Sequence, residues 1–343
     1  MTTITAFDLI AADLEHVRQV LQRIGEGDNP VLVHTIRHLF GSRGKYIRPA
    51  LALLVGRLFK PVAEARLIEF AAAMEVVHTA SLVHDDTLDE AATRRGHTTV
   101  NAGWNGHIAI LVGDYLFAQA AIVTAGLGEL RVMAMLADTI QSLVRGELRQ
   151  METAFDWEQT EADYVAKIGN KTASLLALCT EGAGVLSGAS AAQLRRLRLF
   201  GYNLGLAFQI VDDVLDVTET DEVLGKPAGS DLAQGTITLP VIYYLQTATP
   251  AERALVLDGT RVREAVAAIA SSTAVARARA RADDLGAEAQ AALAPLPAGD
   301  ARAALQEMAR FAVDRTHQLS VISHQPEPVL VRYEQQGNHV PGH

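Results

Sequence analysis

The chain has 343 residues, of which 49% are hydrophobic and 20% charged, a composition that excludes a disordered or coiled-coil protein. Forty acidic residues against thirty Lys and Arg give a net charge of −10, which disfavours binding to nucleic acid or to an anionic membrane surface. A single cysteine excludes a disulfide framework and a multi-cysteine metal site.

The location of the protein is predicted from the same data. The first residues lack the basic and then apolar order of a signal peptide, and no apolar run approaches the roughly 18 residues of a membrane span. We therefore expect a cytoplasmic protein that meets a membrane only transiently, through a hydrophobic substrate or product.

The order of elements along the chain is predicted by its prolines and glycines. Residues 62–226 contain no proline and are rich in Ala, Leu, Glu and Arg, so they predict a succession of long helices. The predicted helix breaks are at glycines: Gly96, Gly103, Gly106, Gly126, Gly128, Gly184 and Gly188.

Two of these helices are predicted to be buried on most sides. The apolar residues nearly encircle the segments 64–90 and 194–217, and no alternating strand pattern competes with them. Buried helices among amphipathic ones indicate an all-α fold with one domain over residues 1–322. The composition of residues 323–343 shifts to Pro, Gln, Gly and His and predicts a loose tail.

Each buried helix ends in three aspartates with the same spacing. The first trio is Asp85, Asp86 and Asp89, and the second is Asp212, Asp213 and Asp216. Residues i and i+4 share a helix face, so each trio directs at least two carboxylates into one small volume, where their repulsion favours a bound cation. A lone trio is more often a solvated helix end, but the repetition of the spacing favours a metal site. Oxygen ligands suit Mg²⁺.

Basic residues surround the predicted acidic site. The segment Gly41–Pro49 carries Arg43, Lys45 and Arg48 in a glycine-containing loop before a helix, an arrangement that suits a phosphate group. Further cations follow the first trio or precede other helices: Arg94, Arg95, Lys171 and Lys226. The pattern predicts a ligand that carries phosphate.

Over residues 5–320, the sequence resembles the trans-isoprenyl diphosphate synthases, also called polyprenyl synthetases. The motifs appear in family order: GSRGKYIRPAL, HTASLVHDDTLDEAATRRG, GDYLFAQA, KTASLL, GLAFQIVDDVLDV and GKPAGSDLAQGTITLP. The resemblance implies a large helical bundle around a central active-site cavity, usually in a homodimer. It also implies an enzyme that joins isopentenyl diphosphate head to tail (1'-4) to an allylic diphosphate primer.

The resemblance assigns roles by position. Asp85, Asp89 and Asp212 would be the principal ligands of about three Mg²⁺ ions per active site, with Mn²⁺ as a substitute, and Asp86, Asp213 and Asp216 would support them. Isopentenyl diphosphate would be bound by Lys45, Arg48, His78 and Arg95. The allylic diphosphate would be bound by Arg94, Lys171, Thr172, Gln209 and Lys226.

One position departs from the family pattern. Many relatives have Gly-Lys before Thr-Leu-Pro, whereas this chain has Gly235-Thr236. In those relatives the lysine contacts the allylic diphosphate, so the resemblance leaves that contact without its cation here.

The product length is predicted from the helix that leads to Asp85. An aromatic residue four or five positions before that aspartate stops the family product at farnesyl length, whereas Ala80 and Ser81 are small. The product tunnel would continue past Val77, with Met74 or Phe117 as a candidate floor. We expect a long-chain all-trans polyprenyl diphosphate; a geranylgeranyl diphosphate synthase, or the catalytic subunit of a two-component synthase that is inactive alone, stays open.

Overall fold

The computed structural model describes residues 7–27, 29–41, 44, 46–59, 64–94, 96–220 and 227–314. Residues Met1–Val313 form one compact unit. A 3₁₀ turn at Asp8–Ile10 comes first. The α-helices that follow are α1 (Ala11–Ile24), α2 (Pro30–Gly41), α3 (Ile47–Phe59), α4 (Glu64–Leu88), α5 (Val100–Gly103), α6 (Gly106–Gly126), α7 (Leu130–Glu152), α8 (Glu161–Ile168), α9 (Ser174–Leu186), α10 (Ala191–Thr218), α11 (Ser230–Ala233), α12 (Leu239–Leu245), α13 (Pro250–Leu257), α14 (Val262–Ala270), α15 (Thr273–Leu293) and α16 (Asp300–Val313).

The prediction of an all-α fold is confirmed. In the described ranges the only strands are β1 (Thr93–Arg94) and β2 (His97–Thr98), an antiparallel ribbon that pairs Thr93 with Thr98. The sequence analysis did not predict this ribbon, because two-residue strands are too short to show an alternating pattern. The predicted boundary between domain and tail at residues 322 and 323 lies outside the described residues and stays a prediction.

Helices α4 and α10 lie in the core, as their apolar sequences predict. Helix α4 packs most extensively against α6 and also against α3, whereas α10 packs against α9 and α15. One apolar cluster surrounds α3, α4 and α9, and a second surrounds the C-terminal half of α10 with α12, α14 and α15. The core therefore holds most of α4 and of α10, the two helices whose last turns carry the aspartate trios.

Glycine allows the central helices to approach closely. A Cβ atom on Gly201 of α10 would lie 2.5 Å from the carbonyl oxygen of Leu176 in α9. That distance is too short for any real Cβ contact. Gly201 therefore permits a backbone-to-backbone contact that fixes α10 against α9.

Two helices are long and apolar enough to cross a membrane by length and composition alone. Helix α4 is mostly buried in the core, whereas only 33% of the most apolar 18-residue stretch of α6 is buried. The prediction that no apolar run approaches the length of a membrane span is therefore wrong, because α6 stays apolar enough on average although Asp114 lies within it. Leu111 and Ile122 on α6 are 62% and 63% exposed, so this helix presents an apolar face to its surroundings.

Candidate active site

The first aspartate trio lies at the C-terminal end of α4. Asp86 is buried, Asp85 is half-buried, and Asp89 follows the last helical residue and is exposed. Nε of Arg94 in β1 donates a hydrogen bond to Oδ1 of Asp86 at 2.6 Å. The unpredicted β-ribbon therefore positions a cation against this trio.

The electrostatic environment of Asp85 is that of a crowded acidic pocket. Burial raises the pKa of Asp85 to about 6, and the neighbouring carboxylate of Glu147 adds to the rise. The cations Lys171 and Arg94 oppose this rise. Although the Asp89 side chain is exposed, the protein atoms around it displace enough water to raise its pKa, and the nearby negative charge of Asp231 adds to the rise.

The second trio lies in the last turns of α10. Buried Asp213 accepts two hydrogen bonds, from the hydroxyl of Tyr164 at 2.7 Å and from Nε2 of Gln209 at 2.9 Å. Burial nevertheless raises the pKa of Asp213 to about 7, and the negative charge of Asp231 contributes. Asp213 is therefore held in place by other side chains, which suits a supporting position.

The other two aspartates of α10 differ from Asp213 in their surroundings. Asp216 is buried, and its Oδ1 accepts a hydrogen bond from the hydroxyl of Ser230 at 3.2 Å. Asp212 is half-buried. Ser230 begins α11, so the start of α11 lies against the second trio.

A π-helical segment, Gly169–Ala173, carries two of the predicted allylic-site residues. Nζ of Lys171 lies 2.6 Å from Oε2 of Glu147 on α7, and the hydroxyl of Thr172 donates to Oε1 of Gln209 at 2.7 Å. Burial lowers the pKa of Lys171, but Asp85 and Glu147 outweigh it, so the pKa rises and the ammonium stays charged. Single π turns of this kind are frequent at functional sites.

Two glycines allow this π-helical segment to sit deep between helices. A Cβ on Gly146 of α7 would lie 2.8 Å from the backbone nitrogen of Lys171, and one on Gly205 of α10 would lie 2.5 Å from Cα of Ala173. Larger residues would displace backbone rather than a flexible side chain. The close approach of α7 and α10 therefore sets the position of Lys171 and Thr172.

The two trios share charged neighbours although they are far apart in the sequence. Lys171 interacts with Asp85 and Asp89, whereas Asp231 interacts with Asp89 and Asp213. The fold therefore brings the acidic ends of α4 and α10 to one site.

A cavity of about 400 Å³ lies beside the first trio. His78 and Asp86 of α4 and Arg94 of β1 line it, together with Gly44 and Tyr46 before α3. Its volume is in the range of small-molecule sites. The structure thus places Arg94, expected on the allylic side, in the same cavity as His78, expected on the isopentenyl side.

Several expected residues lie elsewhere or outside the described residues. Arg48 is half-buried in α3, whereas Lys45, Arg95 and Lys226 are not among the described residues. Ala80, Val77 and Met74 are completely buried in the core, and Ser81 is half-buried with its hydroxyl donating to the carbonyl of His78. None of these four lines the described cavity, so the product tunnel stays a prediction.

Sequence reasoning missed four side chains at this site: Glu147, Tyr164, Lys167 and Asp231. Asp231 lies within the quoted GKPAGSDLAQG motif, so its position was visible but its proximity to both trios was not. Tyr164, Glu147 and Lys167 reach the site from helices α7 and α8 through long-range packing, for which the sequence carries no local signal.

Comparison with known proteins gives concordant results. The family profile described as Polyprenyl synthetase matches residues 29–274. The chain is 37% identical to solanesyl diphosphate synthase 1, chloroplastic, of Arabidopsis thaliana, over 92% of this chain and 80% of that protein. It is 38% identical to heptaprenyl diphosphate synthase component 2 of Geobacillus stearothermophilus, over 89% of this chain and 96% of that protein.

A solved structure shares the fold closely. The decaprenyl diphosphate synthase of Rhodobacter capsulatus superimposes with a TM-score of 0.85 at 33% identity. The match covers 90% of this chain and 98% of that one. The architecture therefore agrees over nearly the whole length of both chains.

Proposed function

Because this chain belongs to the polyprenyl synthetase family, we propose that it transfers prenyl groups, adding isopentenyl diphosphate repeatedly to an allylic diphosphate primer. One observation carries the proposal: the acidic ends of α4 and α10 meet at one site, with Lys171 and Arg94 beside the first trio. Carboxylates and fixed cations together suit a diphosphate bound through divalent ions.

The donor set fits Mg²⁺, with Mn²⁺ as a substitute. We propose Asp85, Asp89 and Asp212 as direct ligands, as the family resemblance implies. The hydrogen bonds of Asp86 with Arg94, and of Asp213 with Tyr164 and Gln209, suit supporting positions. No three candidate ligand side chains in the described part of the chain form a ready-made metal cage. Water and diphosphate oxygens would complete the coordination, as is common for Mg²⁺.

The charged residues of the site would stabilise the charge that develops when the allylic primer ionises. Divalent ions held by Asp85, Asp89 and Asp212 would neutralise charge on the leaving diphosphate. Lys171 adds a fixed positive charge on the side of α9. The allylic C–O bond breaks with its electron pair passing to the diphosphate. The double bond of isopentenyl diphosphate then attacks the allylic cation. The released diphosphate takes a proton from the new cation, which forms the new double bond and completes a five-carbon addition.

We assign isopentenyl diphosphate to the cavity of about 400 Å³ beside α4. His78 and Arg94 would contact its diphosphate, and Lys45 lies in the sequence between the lining residues Gly44 and Tyr46. Asp86 holds Arg94 in this cavity, so one carboxylate of the first trio orients a cation while Asp85 and Asp89 bind metal.

We propose a long-chain all-trans product, supported by the solanesyl and heptaprenyl relatives and by the small residue Ala80. The similarity to a protein named component 2 supports the alternative of a catalytic subunit that is inactive alone. A geranylgeranyl diphosphate synthase is the other candidate, and product size distinguishes it.

We propose a homodimer formed through the apolar faces of α6 and α7. Leu111 and Ile122 of α6 and Leu148 and Met151 of α7 are all more than half exposed. A second copy would remove this apolar surface from water. The cytoplasmic location and the transient contact with membranes at product release stay predictions.

The decisive experiment incubates the purified chain alone with Mg²⁺, isopentenyl diphosphate and farnesyl or geranylgeranyl diphosphate. The products are dephosphorylated and sized by chromatography. We expect a ladder that ends well beyond twenty carbons. Absence of extension with every primer would contradict the proposal for the chain alone, and restoration by a second subunit would favour the two-component alternative.

A further inference from the structure

The segment that lacks the family's lysine lies beside a buried lysine from another helix. Lys167 of α8 is 3% exposed, and its Nζ donates a hydrogen bond to the carbonyl oxygen of Ile237 at 3.0 Å. Ile237 directly follows Thr236, the position at which the family resemblance implies a lysine. An ammonium group is thus present next to this segment, although it comes from elsewhere in the chain.

The backbone of this segment is tied down on both sides of Thr236. The N–H of Phe155 donates to the carbonyl of Gly235 at 2.9 Å, and the N–H of Thr236 donates to the carbonyl of Asp231 at 2.8 Å. Gly235 has a φ of +75°, which favours glycine. Lys167 adds the bond on the other side, at Ile237.

Lys167 lies close enough to the second aspartate trio for its charge to interact with Asp213. Burial lowers the pKa of Lys167, whereas the charges of Asp213 and Asp231 oppose this fall and that of Lys171 adds to it. The ring of Tyr164, which donates to Asp213, lies 5.7 Å from Nζ of Lys167. A buried ammonium is costly unless anions or dipoles compensate it, so this lysine is poorly explained as ordinary core packing.

We propose that Lys167 is a positioning residue that supplies, from α8, the positive charge that relatives supply from position 236. Its charge stabilises the Asp213 side of the site, and its hydrogen bond holds segment 235–237 in the place where the allylic diphosphate binds. The inference rests on the proposed function, because it specifies how the allylic half of that site is built.

The test separates charge from hydrogen bonding at this position. Lys167→Gln keeps an N–H donor for Ile237 and removes the charge, whereas Lys167→Arg keeps the charge. The double variant Lys167→Gln/Thr236→Lys returns a cation at the family position. Binding of farnesyl S-thiolodiphosphate with Mg²⁺ is measured by titration calorimetry, and KM values for farnesyl and isopentenyl diphosphate are measured alongside.

We expect Lys167→Gln to weaken binding of the allylic analogue about tenfold or more, because one fixed charge is lost from a poorly screened site. The KM for isopentenyl diphosphate should stay within about twofold of wild type. Lys167→Arg and the double variant should recover most of the lost affinity. Thermal unfolding of each variant shows whether the fold is intact.

The outcomes distinguish this inference from the proposed function. If wild type does not extend a primer, the proposed function fails. If wild type is active and folded Lys167→Gln binds the analogue as wild type does, the inference is overturned. It is also overturned if affinity is lost and the double variant does not restore it. Should Lys167→Gln not fold, wild-type-like allylic binding by Lys167→Met would overturn the inference.

Discussion

Replacing Tyr164 with phenylalanine tests the electrostatics of the second trio. The Tyr164 hydroxyl is completely buried and donates to Oδ2 of Asp213 at 2.7 Å, which favours the ionised carboxylate. A hydrogen bond to a charged group contributes about 1.5–3 kcal/mol. At about 1.4 kcal/mol per pKa unit, its loss should raise the pKa of Asp213 by roughly one to two units.

The pH dependence of kcat/KM for the allylic primer measures this change, since it reports the free enzyme. Asp213 already has its pKa raised to about 7, so Tyr164→Phe should leave it more protonated at neutral pH. We expect the acidic limb of the profile to move to higher pH by about one unit or more. Activity at pH 7 should fall by about tenfold and recover partly above pH 8.5.

Tyr243→Phe is a matched control. The hydroxyl of Tyr243 donates to Oε2 of Glu161 at 2.7 Å, the same distance and the same type of bond, but at the start of α8. This variant should lose stability without moving the pH profile. An unmoved profile in Tyr164→Phe, or an equal movement in both variants, would refute the reasoning.

Three further predictions concern packing, product length and pH. Gly205→Ala should lower the free energy of unfolding, measured by urea titration, by about 1–3 kcal/mol, because the new Cβ would meet the backbone of Ala173. Gly126→Ala is the control: open space surrounds Gly126, so this variant should keep the wild-type free energy of unfolding. Comparable stability of both variants would contradict this packing. Ala80→Phe should shorten the product ladder, and an unchanged ladder would exclude Ala80 from the tunnel. In EDTA, the free energy of unfolding should fall from pH 5 to 8, because the folded protein holds a proton on Asp213 that the unfolded chain has released. A free energy of unfolding that does not change with pH would contradict the raised pKa of Asp213. Equal slopes in wild type and in Asp213→Asn would contradict it as well.

Most of the fold and the acidic half of the site could be predicted from the sequence, because both depend on patterns among neighbouring residues. Helix periodicity places Asp85 and Asp89 on one face, and proline-free apolar segments mark α4 and α10 as buried helices. Both are properties of neighbouring residues. The family motifs added the basic residues, because their spacing along the chain is specific.

The remaining features depend on contacts between distant segments. Tyr164 reaches Asp213 from α8, and Lys167 reaches Ile237 across 70 positions. The π-helical turn at Gly169–Ala173 has no separate sequence pattern, since helix periodicity continues through it. Asp231 interacts with both trios only because α11 lies near the ends of α4 and α10. Such features follow from packing, which periodicity does not specify.

The central claim is that the acidic ends of α4 and α10 act together on one diphosphate. The most direct measurement is the initial rate of primer extension in Asp85→Asn and Asp212→Asn, with the exposed Asp283→Asn of α15 as control. Each site variant should lose about a thousandfold in rate or more while unfolding at the wild-type temperature, and the control should match wild type. A folded Asp85→Asn or Asp212→Asn enzyme with wild-type activity would contradict the account.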